Sequence, residues 1–242
     1  MLITLCRFFH DTDEPKPTFN QVSAVIRLAH KYNVEDILRQ GLSALKTYYT
    51  DDFDLFESEP CTLVEFHDGD ACAISAVNLA QLTDTPEILP FALYKCCALG
   101  GAILDGCKRE DGTSDRLDTE TLRRCLDGRN ALAREAFSII SRVFCATQHP
   151  GCTNANRKVC RHAIQAILTE CVISDSASEA TVLDSWRIVI RGEGKDRNMC
   201  NSCIEELVRR ELQARKDVWK RLPEIFGITV KGWDDEKAGG AE

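Results

Sequence analysis

Thr18-Phe19-Asn20-Gln21-Val22-Ser23-Ala24-Val25-Ile26-Arg27-Leu28-Ala29-His30-Lys31-Tyr32-Asn33 is the stretch from which the fold class can be read. Thr18 with Gln21 three residues later fits a capping box, and Pro17 helps to stop any element before it. Phe19, Val22, Ile26 and Ala29 then recur at helical spacing, and the pattern breaks near Asn33. A second series, Val34, Ile37, Leu38, Leu42, Leu45 and Tyr48, resumes the i, i+3, i+4, i+7 steps. Two amphipathic helices with so short a join must turn sharply and share a neighbour, as in an αα-hairpin.

Outward from this pair, Asp51 to Asp70 holds eight acidic residues and no Lys or Arg. It reads as a solvated acidic linker whose Phe53, Leu55, Phe56, Leu63, Val64 and Phe66 could dock on a core. A calcium loop would need oxygen ligands at regular offsets with a turn glycine, and that pattern is missing. Helical spacing returns from Ala71 to Leu82, and Pro86 can open a further helix carrying Ile88, Leu89, Leu93 and Cys96. Asp111-Gly112-Thr113 marks a turn. Asp118 caps the longest candidate, which runs to about Phe144 with Gly128 inside it as a potential kink. After the break at His149-Pro150-Gly151-Cys152, helical patterns cover about 156–172, 179–189 and 203–221. Asp196–Asn198 falls in a polar loop behind Gly192 and Gly194. No repeat and no convincing run of alternating strands is found, so the fold expected is mainly α and multi-helical.

The chain has 242 residues, 44% hydrophobic and 28% charged, values that suit a folded protein and argue against long disordered tracts. No apolar run approaches the roughly 20 residues needed to cross a bilayer. Arg7 interrupts the apolar opening and no small-residue cleavage site follows, so no secretory signal is expected. A net charge of −8 works against non-specific binding to polyanions. Thirteen cysteines, an odd number without a signal peptide, favour reduced thiols in a cytoplasmic or nuclear setting over a disulfide framework.

The segment from Pro17 to Tyr32, with its His30-Lys31-Tyr32 ending and the Val34-Glu35-Asp36-Ile37-Leu38 helix after it, resembles the C-terminal end of a BTB (POZ) domain. Ala76–Ala80 through Ile88-Leu89-Pro90, then Cys125-Leu126-Asp127-Gly128-Arg129, is similar to the helical extension of BTB proteins abundant in mushroom-forming fungi. Trp219-Lys220-Arg221-Leu222-Pro223-Glu224-Ile225-Phe226-Gly227 resembles the C-terminus of that group. The resemblance implies residues 1–50 as the last part of a BTB-like domain, 51–70 as the acidic linker and 71–144 as a BACK-like extension. A cysteine-containing helical region would span 145–233, with a disordered tail over 234–242. The strand-rich first part of a BTB domain, which carries its dimerisation surface, has no counterpart here. Homo-oligomerisation and ligase docking are therefore not carried over. What the resemblance does imply is a scaffold or adaptor that binds other proteins, without catalysis. Its contact surfaces would be Phe19, Val22, Ile26, Leu38 and Leu45, if those faces are open, and the acidic connection.

Cys200-Asn201-Ser202-Cys203 is the one CxxC, placed directly before a helix, as in zinc knuckles. Cys152 and Cys160 are the candidates for a second pair, with Cys145, His149 and His162 as substitutes. Against this, random placement of thirteen cysteines in this length yields roughly 0.65 CxxC pairs, and the Cys152 to Cys160 spacing is loose. Ordinary thiols are the leading expectation, and Zn2+ on Cys152, Cys160, Cys200 and Cys203 is the minority one. No cofactor is otherwise expected.

Catalytic signatures are not found: no G-x-S-x-G, Walker loop, dinucleotide fingerprint or zinc-deaminase motif occurs. Cys145, His149 and Cys152 are close in sequence but lack a family signature, and His10 and His30 read as structural. Arg187 to Arg221 holds ten basic against six acidic residues, with Trp186 and Trp219 at its edges. The alternation of charges there reads as a solvated helix face. A zinc-dependent nucleic-acid module centred on Cys200 and Cys203 is the second hypothesis.

Overall fold

Gln21 N–H donates to Thr18 Oγ1 at 3.3 Å and Thr18 N–H donates to Gln21 Oε1 at 2.9 Å, so the capping box forms in full. The computed structural model describes residues 16–58, 63–65, 72–145, 149–173 and 181–233. Met1–His10 and the tail from Asp234 lie outside them. The described residues are mainly helical, with ten α-helices and one short hairpin. None of their helices is long and apolar enough to cross a membrane. They form two compact units: the residues up to Gly128 together with those from Leu222, and Arg129–Arg221.

In the first unit, α1 (Phe19–Lys31) and α2 (Glu35–Lys46) pack as the expected pair. Asn33 takes φ 55° at the join, a left-handed geometry that Asn tolerates better than most residues. Val34 N–H returns to Ala29 O at 2.9 Å and closes the end of α1. The residues expected to form a contact surface are placed differently. Phe19, Val22, Ile26 and Leu45 are buried in the core, and Leu38 packs partly buried beside Val25, Ala29 and Ile37. The downstream helices of the same unit supply the cover: α1 packs on α4 (Cys72–Leu82), which in turn packs on α5 (Leu89–Ala98). Eight of the eleven residues of α4 are buried, as expected for a helix that is apolar on most of its surface.

The acidic connection is more than a linker. Asp52 caps a one-turn helix, α3 (Phe53–Glu57), by accepting from the Asp54 and Leu55 N–H groups. Phe53 and Val64 are almost fully buried, and Glu65 pairs with the entry to α1 through Phe19 N–H to Glu65 O at 2.8 Å. Phe53, Phe56, Phe91 and Tyr94 join Tyr48 and Tyr49 in an aromatic cluster over α5. Burial of these apolar rings among acidic neighbours fastens the segment to the core.

Asp111-Gly112-Thr113 is the turn of a hairpin between β1 (Cys107–Lys108) and β2 (Ser114–Asp115), strands too short to show alternation in sequence. Asp115, only 4% exposed, accepts hydrogen bonds from Arg27 Nη2 (2.8 Å), Ser75 Oγ (2.6 Å) and Arg109 Nη2. One carboxylate thus joins α1, α4 and the hairpin. Asp118 caps α6 (Thr119–Val143) through the Glu120 and Thr121 N–H groups. α6 runs through Gly128 as one continuous helix. A Cβ at Gly128 would meet the Phe226 ring at 2.4 Å, so the glycine admits a close approach of the segment after α10 (Leu222–Ile225).

The second unit holds the rest of α6, then α7 (Arg157–Ile173), α8 (Arg187–Asp196) and α9 (Asn201–Lys220). The helix expected over 179–189 is not formed across 181–186; it starts at Arg187 and runs through Gly192 and Gly194 to Asp196, the first residue of the expected polar loop. Two interactions favour this register. Trp186 N–H donates to Glu211 Oε1 (3.0 Å) and Arg215 Nη1 to Leu183 O (3.2 Å), which hold 181–186 in a non-helical path. Gly194 lets α8 approach α9, since a Cβ there would lie 2.7 Å from Ile204. Glu211 and Arg215 are themselves 1% and 2% exposed and paired at 2.6 Å.

Candidate metal centre

The turn at His149–Gly151 leads into Cys152, whose N–H donates to His149 O at 3.1 Å. The chain then passes Asn154, fixed by its amide to Asn198 O (3.1 Å). Next comes Asn156, whose Oδ1 accepts from Lys158 N–H and caps α7. Cys160 follows in the first turn of that helix. On the other side, Met199 N–H closes α8 onto Gly194 O at 2.8 Å, and Cys200 is the N-cap of α9 with φ −74° and ψ 149°. Cys203 N–H donates to Cys200 O at 3.0 Å, so the CxxC adopts the turn that aims both sulfurs to one side.

These elements bring the sulfurs of Cys152, Cys160, Cys200 and Cys203 within 4.8 Å of one another. Cys200 Sγ is 3.8 Å from both Cys152 Sγ and Cys160 Sγ. A tetrahedron of sulfurs with a metal–sulfur bond of about 2.3 Å has edges of about 3.8 Å, so the spacing fits one ion held by four thiolates. Cys200 N–H also points at Cys160 Sγ, at 3.3 Å. A backbone donor of this kind favours a thiolate and is a common outer support for metal-bound sulfur.

Electrostatics agree with a cluster that shares its protons. Burial opposes the Cys200 thiolate, but hydrogen bonds from Thr153 and from the Cys203 backbone outweigh it and bring the thiol down to about 5. Burial, followed by the neighbouring thiols of Cys200 and Cys152, pushes Cys203 well up. Burial raises Cys160 as well. In a low-dielectric pocket without a cation, one thiolate suppresses ionisation of the rest. A dication reverses that order and lets all four deprotonate.

No family model, curated protein or solved structure matches this chain.

The four cysteines named from the sequence are therefore the four that meet, and they can hold a metal ion. The substitutes are placed elsewhere. Cys145 and His162 are exposed, and neither belongs to the cluster. His149 Nε2 lies 3.2 Å from Ser202 Oγ, and Ser202 in turn donates to Gly151 O at 2.7 Å. This small bridge braces the Cys152 turn against the start of α9 and was not visible in the sequence, because it joins residues about fifty positions apart. Cys72, Cys96, Cys97, Cys107 and Cys125 are buried in the first unit, where the Cys97 thiol donates to Cys125 O at 3.2 Å.

Proposed function

We propose that this protein is a non-catalytic helical scaffold whose second unit is fastened by a structural zinc ion and binds other proteins. The observation that carries this reading is the set of four cysteine sulfurs within 4.8 Å of one another, two of their separations at the 3.8 Å edge of a zinc–thiolate tetrahedron. Zinc is the ion of choice because four thiolates with no redox partner suit a soft-to-borderline, tetrahedral d10 cation. Four protein ligands fill its coordination and leave no position for water or substrate, the pattern of a structural site and not of a catalytic one. The ion would join the 149–160 segment to the start of α9, and through the Met199 turn it would fix the end of α8.

The interaction role draws support from the resemblance of Pro17–Leu38 to the end of a BTB domain. The helix faces first assigned to contacts are core, so the contact surface belongs elsewhere. On α8, Ile188 is 83% and Val189 61% exposed, beside the exposed Arg187 and Arg191. Exposed neighbouring β-branched residues on an anchored helix suit a protein contact.

The nucleic-acid reading has less support. Several basic residues of the second unit are occupied by acids: Arg191 by Glu205, Arg197 by Glu170 and Glu193, Arg209 and Arg210 by Glu206. Trp219 is fully buried and cannot stack on a base.

The test combines metal analysis with binding. The purified chain should carry about one zinc, and Cys160→Ser should lose it together with the folding of the second unit. Proteins retained by the native chain should be lost on Ile188→Asp/Val189→Asp. Retention that survives both changes argues against the scaffold surface, and a chain free of zinc argues against the fastening.

A further inference from the structure

We propose that the four-cysteine centre is an oxidant-sensitive clasp, opened when a hydroperoxide attacks Cys200 Sγ. The inference rests on the reading of these cysteines as zinc ligands and adds how the site is regulated. Three of the four sulfur-bearing residues are shielded: Cys152, Cys160 and Cys203 are 6%, 2% and 3% exposed. Cys200 alone is only partly buried. It is also the sulfur with two neighbours at 3.8 Å, Cys152 and Cys160, both on the 149–160 segment that the clasp joins to the start of α9. Accessibility and a nearby resolving thiol are the two features that make a cysteine oxidisable in a reversible way.

The chemistry closes on itself with hydrogen peroxide as oxidant. The Cys200 sulfur attacks one peroxide oxygen, an S–O bond forms, the O–O bond breaks and hydroxide leaves. Cys152 or Cys160 Sγ then attacks the Cys200 sulfur; an S–S bond forms and a second hydroxide leaves. Two thiolates have lost two electrons and the peroxide has gained them. The sulfurs need to approach from 3.8 Å to about 2.05 Å, a shift that side-chain rotation can supply. A disulfide carries no thiolate charge, so the ion keeps only two ligands and departs. A dithiol reductant and fresh zinc restore the clasp.

The full chain, as Cys145→Ser to remove an exposed competing thiol, is loaded with zinc and its metal content is measured first. Hydrogen peroxide is then added with a chromophoric chelator, and the first disulfide is mapped by mass spectrometry. The expected result is release of about one zinc per chain and a first bridge that contains Cys200, both reversed by dithiothreitol with zinc. Zinc retained through peroxide, or a first bridge without Cys200, overturns the proposal while leaving the structural zinc in place. A chain that holds no zinc before peroxide removes the structural reading itself.

Discussion

Cys152 and Cys200 are 48 residues apart in the chain, yet their sulfurs lie 3.8 Å apart with Cys160 and Cys203 beside them. Nothing in the local propensity of either segment demands that approach. Two turns and two helix starts converge to produce it.

The Asp115 clamp should be costly to break. Asp115→Asn leaves Arg27 and Arg109, both partly buried, without their shared carboxylate. A loss of about 2–3 kcal/mol is expected, below the usual range for a buried pair because both arginines reach solvent. Urea unfolding of the variant beside the native chain measures it. A change under about 0.5 kcal/mol would show that the three hydrogen bonds contribute little.

The same residue gives a pH dependence. Burial opposes the Asp115 carboxylate, but hydrogen bonds from Arg109 and Ser75 and the charge of Arg27 outweigh it and hold its pKa below the usual range. A group with a depressed folded pKa contributes stability that is complete above its unfolded value, about 3.9, and is lost as pH falls through the folded value. Native stability should therefore drop more steeply than that of Asp115→Asn between about pH 4 and pH 2. Parallel curves would contradict the assignment.

Glu211 and Arg215 form a buried pair on α9 and also hold the 181–186 segment. Either single alanine should cost about 3–5 kcal/mol, because each strands a buried charge. The double replacement Glu211→Leu/Arg215→Met should cost clearly less than the sum of the two. Additive effects in a double-mutant cycle would mean that the pair is not energetically coupled.

Gly128 tests a contact made of size alone. Gly128→Ala drives a Cβ to 2.4 Å from the buried Phe226 ring, so a destabilisation of about 1–3 kcal/mol is expected despite the better helix propensity of alanine. Adding Phe226→Leu should recover part of it. A stabilised Gly128→Ala protein would show that the ring moves freely.

What could be read from the sequence was what short-range chemistry determines. The Thr18–Gln21 box, the Asn33 break and the Asp118 cap each involve residues within a few positions, and each is found. The misplacements share another cause. The helical pattern read from the sequence stops at 189, yet α8 runs on through Gly192 and Gly194, because Gly194 makes room for Ile204 as Gly128 does for Phe226. The sequence allows the apolar residues of the acidic stretch to dock, and the burial of Phe53 and Val64 shows which of them do. The Arg27 to Asp115 contact spans 88 residues and left no pattern in the sequence. The four cysteines that meet are the set the sequence offers as its minority expectation, since one CxxC is ordinary by chance and the matching pair becomes evident only in space.

The most direct test of the account is zinc analysis of the purified chain together with X-ray absorption at the zinc edge. The account predicts about one zinc per chain, bound by four sulfurs at about 2.3 Å, and its loss in Cys203→Ser. Less than about 0.2 zinc per chain, or a first shell of oxygen and nitrogen, would contradict it.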